Sequence, residues 1–114
     1  MKFISIVTID PAKHPHASPE TMEQMGKLIA EMRAAGALLD TGGRDGSMDE
    51  FSIARKNGRS TVTDGPFAES KEVVGGFALF EVENRDSALA WTNRFLDVLG
   101  GDATCYVHEV SPTP

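Results

Sequence analysis

Along the first ten residues, "MKFISIVTID", apolar side chains fall at both odd and even positions between Lys2 and Ile9. A strand with that pattern buries both of its faces, as a central strand of a sheet does. "HPHASPE" interrupts the run, and Ser18, Pro19 and Glu20 then supply the N-cap, first-turn proline and early acidic group of a helix. In that helix Met22, Met25, Leu28, Ile29 and Met32 recur every three or four residues, so they share one face, and Gly36 ends it.

"ALLDTGG" predicts a short second strand running into a glycine turn. Residues 51–64, "FSIARKNGRSTVTD", are two β-like runs joined by Asn57-Gly58, a strong hairpin signal. In "GGFALFEVE", Phe77 and Leu79 point one way and Ala78, Phe80 and Val82 the other, which marks a second central strand. Asn84 or Asp86 caps a helix over residues 85–99, with Ala88, Trp91, Phe95 and Leu99 on one side and Gly100-Gly101 as its stop. "ATCYVHEV" gives a last strand. With the hairpin set aside, the order is βαββαβ, the ferredoxin-like α+β pattern, an antiparallel sheet with both helices on one face. Its first and third strands occupy the middle, and those are the two with double-sided apolar character. Two helices cover only one face, so a second copy packing sheet against sheet is the expected cover for the other.

Length and composition fit one soluble globular domain over residues 1–114, with 40% hydrophobic and 25% charged residues. The N-terminal apolar run is too short for a secretory signal and nothing approaches a membrane span, so a cytoplasmic protein without membrane attachment is expected. Eleven basic side chains against seventeen acidic ones give a net charge of −6, with no basic stripe, which argues against direct binding to nucleic acid. Cys105 has no disulfide partner and reads as a small buried hydrophobe. His14 and His16 lie in a loop with no third ligand specified, so they read as solvated histidines, and neither a metal nor a cofactor is expected. There is no phosphate-binding glycine loop and no nucleophile elbow. Gly42-Gly43 and Gly75-Gly76 read as turn or bulge glycines.

"TVTDGPFAESKE", residues 61–72, carries the candidate chemistry. Strand parity places Asp64 on the side of Val62, expected to be buried, and Gly65-Pro66 bends the chain so that the carboxylate stands at the rim of the sheet. An Asx-type turn accounts for an aspartate there, and a ligand-binding or acid-base role is compatible with it. His108 shares strand parity with Tyr106 and Val110 and can face a pocket. Arg44, with Asp45, lies in a glycine-flanked loop that can approach the same cavity.

"TDGPFAESKEVVGGFALFEV" closely resembles the signature of the DGPF branch of the YCII-related proteins, and the likeness extends from "MKFISIV" through "SPETMEQM" and "RAAGALLDTGG" to "ALAW" and the final strand. The resemblance implies a dimeric α+β barrel with a small-molecule pocket between sheet and dimer interface. It implies ligand contacts from Lys71 and Glu72 in the "AESKE" run, which otherwise form rim ion pairs. Wider relatives include a dehydrochlorinase with a His and Asp pair, which would make Asp64 the catalytic group of a lyase- or isomerase-type reaction. Met25 stands where those relatives would have the helix histidine, and methionine transfers no proton, so Met25 reads as core or pocket wall. The resemblance also implies an alternative: a non-catalytic module that partners extracytoplasmic-function sigma factors.

Overall fold

The computed structural model describes residues 1–14, 17–44, 47–65 and 73–113. Strand β1 (Lys2–Ile9) leads to helix α1 (Pro19–Ala34) and strand β2 (Leu38–Gly43). Strands β3 (Phe51–Lys56) and β4 (Arg59–Asp64) follow, then β5 (Val73–Glu81), helix α2 (Arg85–Leu99) and β6 (Thr104–Glu109). The main sheet has the order β2-β5-β1-β6, with every pairing antiparallel, and β3 and β4 form a separate two-stranded sheet. The ferredoxin-like α+β topology is therefore present, with β1 and β5 in the centre.

Local chemistry fixes the helix ends where the sequence places them. The Ser18 hydroxyl accepts the Thr21 amide at 3.1 Å and the Asn84 side chain accepts the Ser87 amide at 2.9 Å. Gly36 and Gly100 take positive φ of 71° and 69° just beyond the helices, a region open to glycine without the Cβ penalty. Asn57 and Gly58, at φ 51° and 75°, form the tight turn of the hairpin.

The core lies between the helices and one sheet face. Phe3, Leu28, Met32, Leu38, Phe80 and Ala88 are its buried members, and Met25, Ile29, Trp91 and Phe95 pack around them. Phe80 is 2% exposed, and its burial contributes roughly 2–3 kcal/mol. Met22 departs from the predicted helix face. It is 65% exposed in the first turn of α1, and the side of the helix that packs on the core begins at Met25.

The glycine pairs act within strands. Val7 pairs with Gly76 and Thr8 with Val74, which leaves Gly75 as the extra residue of a β-bulge. Gly42 and Gly43 pair with Phe77 and Gly76 inside the ladder rather than forming a turn. A Cβ on Gly76 would stand 2.6 Å from the Gly42 carbonyl oxygen, so β2 and β5 approach each other more closely than any side chain would permit.

Candidate functional site

Directly paired residues in an antiparallel ladder point to the same face. Ile4 lies opposite Leu79 and His108, and Ile6 lies opposite Phe77 and Tyr106, all on the face away from the helices. Neither described helix covers this surface: Phe77 is 40% and Tyr106 49% exposed, and Ile4, Ile6 and Leu79 are half-buried. The aromatic ring of Phe77 lies over Gly42, whose missing side chain leaves room for it.

A polar cluster stands at one end of this face, beyond the last residue of β2. The Arg44 amide donates to the Gly75 carbonyl at 2.8 Å, which fixes the chain against β5. The Arg44 guanidinium donates Nε–H to Glu50 Oε1 at 2.8 Å and Nη2–H to Glu50 Oε2 at 3.2 Å, a two-point grip. Both side chains are only a quarter exposed. The Glu50 hydrogen bond raises the Arg44 pKa above its ordinary value, so the cation is permanent. The Gly65 amide donates to the Glu50 carbonyl at 2.7 Å. A Cβ on Gly65 would fall 2.7 Å from the Glu50 Cβ, so only glycine lets the chain pass so close. Asp64 precedes this contact and pairs with Phe51 at the base of the hairpin, where its side chain is exposed.

Of the residues singled out in the sequence, Arg44 and Asp64 are brought to the same corner. Glu50, which joins them, carried no distinguishing signal: it is one acidic residue in an irregular loop, and its role depends on a contact six residues back. Lys71 and Glu72 lie outside the described residues, as do Pro66, Phe67 and His16. His108 sits on β6, the far edge of the sheet, three strand spacings or roughly 14 Å from β2. It is exposed on the uncovered face but does not join the Arg44 corner within one chain. Met25 belongs to the opposite layer, packed against the helix-side core. Val62 is 60% exposed rather than buried, because β3 and β4 form their own ladder instead of joining the main sheet.

A concavity of about 380 Å³ opens at the other edge, between the end of β1 and the α2–β6 connection, and includes Thr8, Asp10, Leu96, Asp102 and Thr104. It is shallow, and the Asp10 carboxylate already accepts the Ala12 amide at 3.0 Å. The nearby His14 is not simply solvated, since its Nε2 lies 3.1 Å from the Gly100 carbonyl and ties this loop to the end of α2. Among the described residues no group of three or more His, Cys, Asp or Glu side chains is arranged to hold a metal ion. No described helix is long and apolar enough to cross a membrane.

Two helices on one face of a β2-β5-β1-β6 sheet, with an apolar second face, define an α+β protein of ferredoxin-like topology. The YCII-related domain model matches residues 1–98, and the chain belongs to that family. No curated protein matches the chain.

Proposed function

We propose that this protein binds a small molecule in a hollow closed by twofold pairing of the uncovered sheet faces, with Arg44 and Asp64 at its rim. The observation that carries the reading is the face of Ile4, Ile6, Phe77, Leu79 and Tyr106, a continuous apolar and aromatic surface on the side of the sheet away from both described helices. Contiguous apolar surface of this kind is characteristic of subunit contacts and ligand grooves. Pairing brings two polar corners, each with a fixed guanidinium, to the margin of an aromatic-lined space. That composition suits a small aromatic or acidic compound, with the rings and isoleucines enclosing its body and polar groups orienting it. His108 and, beyond the described residues, Lys71 and Glu72 are the further side chains proposed to contact it.

Any proton-transfer step, of the lyase or isomerase type, falls to Asp64, since Met25 carries no exchangeable proton. Such a role requires that pairing take Asp64 out of water, where a carboxylate is a stronger base. The sigma-factor alternative rests on resemblance alone, and the uncovered face favours the binding reading.

Two measurements test the proposal. Sedimentation equilibrium is expected to give a dimer for the wild type and a monomer for Phe77→Lys, which places a charge in the middle of the pairing face. Titration with salicylate, followed by backbone amide NMR, is expected to give saturable shifts clustered at Ile6, Phe77, Tyr106 and Gly65. A wild-type monomer at millimolar concentration, or no saturable shift with salicylate or a panel of small aromatic acids, would overturn it.

A further inference from the structure

All twelve residues of β3 and β4 are exposed, and the hairpin packs to no appreciable extent on the helices or the main sheet. An isolated two-stranded hairpin is marginal in water, because each strand has a partner on one side only and no apolar layer beneath. One side of this hairpin nevertheless carries three large apolar side chains, with Arg55, Ser60 and Asp64 beside them. The register pairs Phe51 with Asp64 and Ile53 with Val62, which places Phe51, Ile53 and Val62 on one face, at 56%, 62% and 60% exposure. The other face carries Ser52, Ala54, Lys56, Arg59, Thr61 and Thr63. The radius of gyration of 15.8 Å exceeds the roughly 13 Å of a compact chain of this length, as a projecting arm requires.

We infer that the hairpin is an arm that lies across a second copy of this chain, with Phe51, Ile53 and Val62 against the twofold partner. The inference rests on the dimer proposed above and adds to it the element that makes the contact large enough. Four strands about 4.8 Å apart and about seven residues long present roughly 450 Å² in projection. Even allowing for side-chain relief, that is short of the roughly 800 Å² per partner found in stable interfaces. One hairpin face adds roughly 200 Å² by the same spacings, and each subunit both gives an arm and receives one. Sheet face and reciprocal arms together reach the required size.

Charge favours the same occupant. Residues 51–64 hold Arg55, Lys56 and Arg59 against one acidic group, Asp64, whereas the other hundred residues hold eight basic and sixteen acidic side chains. A positive arm on a strongly negative body is attracted to another such body. The arm also starts at Glu50 and ends at Gly65, the two residues joined at the polar corner, so its seating would set the position of Asp64.

The test is sedimentation equilibrium of wild type, of the double variant Ile53→Lys with Val62→Lys, and of the control Ala54→Lys with Thr61→Lys, which adds the same charge to the other face. Because all four positions are exposed, neither change removes core packing. The dimer dissociation constant is expected to rise at least tenfold in the first variant and to stay within about threefold of wild type in the control. In a dimer of labelled and unlabelled chains, isotope-filtered NOEs are expected between the Ile53 and Val62 methyls and partner protons. A dimeric wild type whose Ile53, Val62 variant associates equally well, or whose methyls see no partner protons, overturns the arm and leaves the sheet pairing standing. A monomeric wild type removes both.

Discussion

Gly42 and Gly76 lie diagonally across adjacent strands, yet substitution should affect them unequally. A Cβ on Gly76 meets the Gly42 carbonyl oxygen at 2.6 Å, a backbone atom in a ladder that cannot move alone. A Cβ on Gly42 meets the Phe77 ring at 2.9 Å, the far end of a side chain rather than backbone. Gly76→Ala is therefore expected to cost about 2–3 kcal/mol in urea unfolding and Gly42→Ala less than about 1 kcal/mol. Equal losses would show that strand spacing is not set at Gly76. Cys105 offers a second residue-scale check. Burial pushes its thiol pKa up, with a smaller opposing effect from a hydrogen bond with Ser5. Alkylation by iodoacetamide near neutral pH is thus expected to be slower for the native protein than for the urea-unfolded chain. The sequence anticipated Cys105 as a small hydrophobe from its place in a strand, but it could not reveal the Gly76 contact, which joins residues 34 apart.

Each element is stabilised by a different balance of local and tertiary terms. Helices α1 and α2 carry caps that can be read directly from Ser18 and Asn84, and they are joined on the outer surface by Arg94. Its guanidinium donates to both Glu31 carboxylate oxygens, at 2.9 and 2.6 Å, and stacks over Trp91 at 5.0 Å. The Arg94 hydrogen bond lowers the Glu31 pKa, against a smaller desolvation effect. A carboxyl group whose folded pKa is depressed adds stability above its unfolded pKa and loses it as pH falls through the folded value. The gap in melting temperature between wild type and Glu31→Gln is therefore expected to be small near neutrality, since the pair is exposed, and to vanish on acidification through the carboxylate range. A gap unchanged by pH would show that the charge on Glu31 contributes nothing. The hairpin contrasts with the helices. Asn57-Gly58 fixes its turn, but no appreciable packing on the described helices or main sheet holds it down. Gly58→Ala is expected to cost about 1 kcal/mol and to speed amide exchange in β3 and β4 without changing exchange in β1 and β5. Faster exchange throughout the sheet would mean that the arm and body unfold as one unit.

For the whole molecule, the decisive property is the mismatch between two layers and three required surfaces. The helices cover Phe3, Leu38 and Phe80, whereas among the described residues Ile4, Ile6, Phe77 and Tyr106 lie on the other side of the same strands, away from both helices. Pairing over that side is expected to protect Tyr106. Iodination of its ring should proceed more slowly as protein concentration rises through the dimerisation range, and should be fast and independent of concentration in Phe77→Lys. Equal rates for the two proteins at every concentration would place Tyr106 outside the contact.

The elements and their order follow from local sequence alone. Helix caps, turn glycines and strand alternation act over a few residues, so Ser18, Asn84, Asn57-Gly58 and the double-sided patterns of β1 and β5 specify them without reference to the rest of the chain. The tertiary structure alone decided which groups meet. Arg44 grips Glu50, Gly65 passes against Glu50, His108 falls on the far edge, and the hairpin stands away from the sheet, because each depends on the packing of segments distant in sequence. Periodicity records that a side chain is apolar, but only the assembled layers decide whether anything in the same chain covers it.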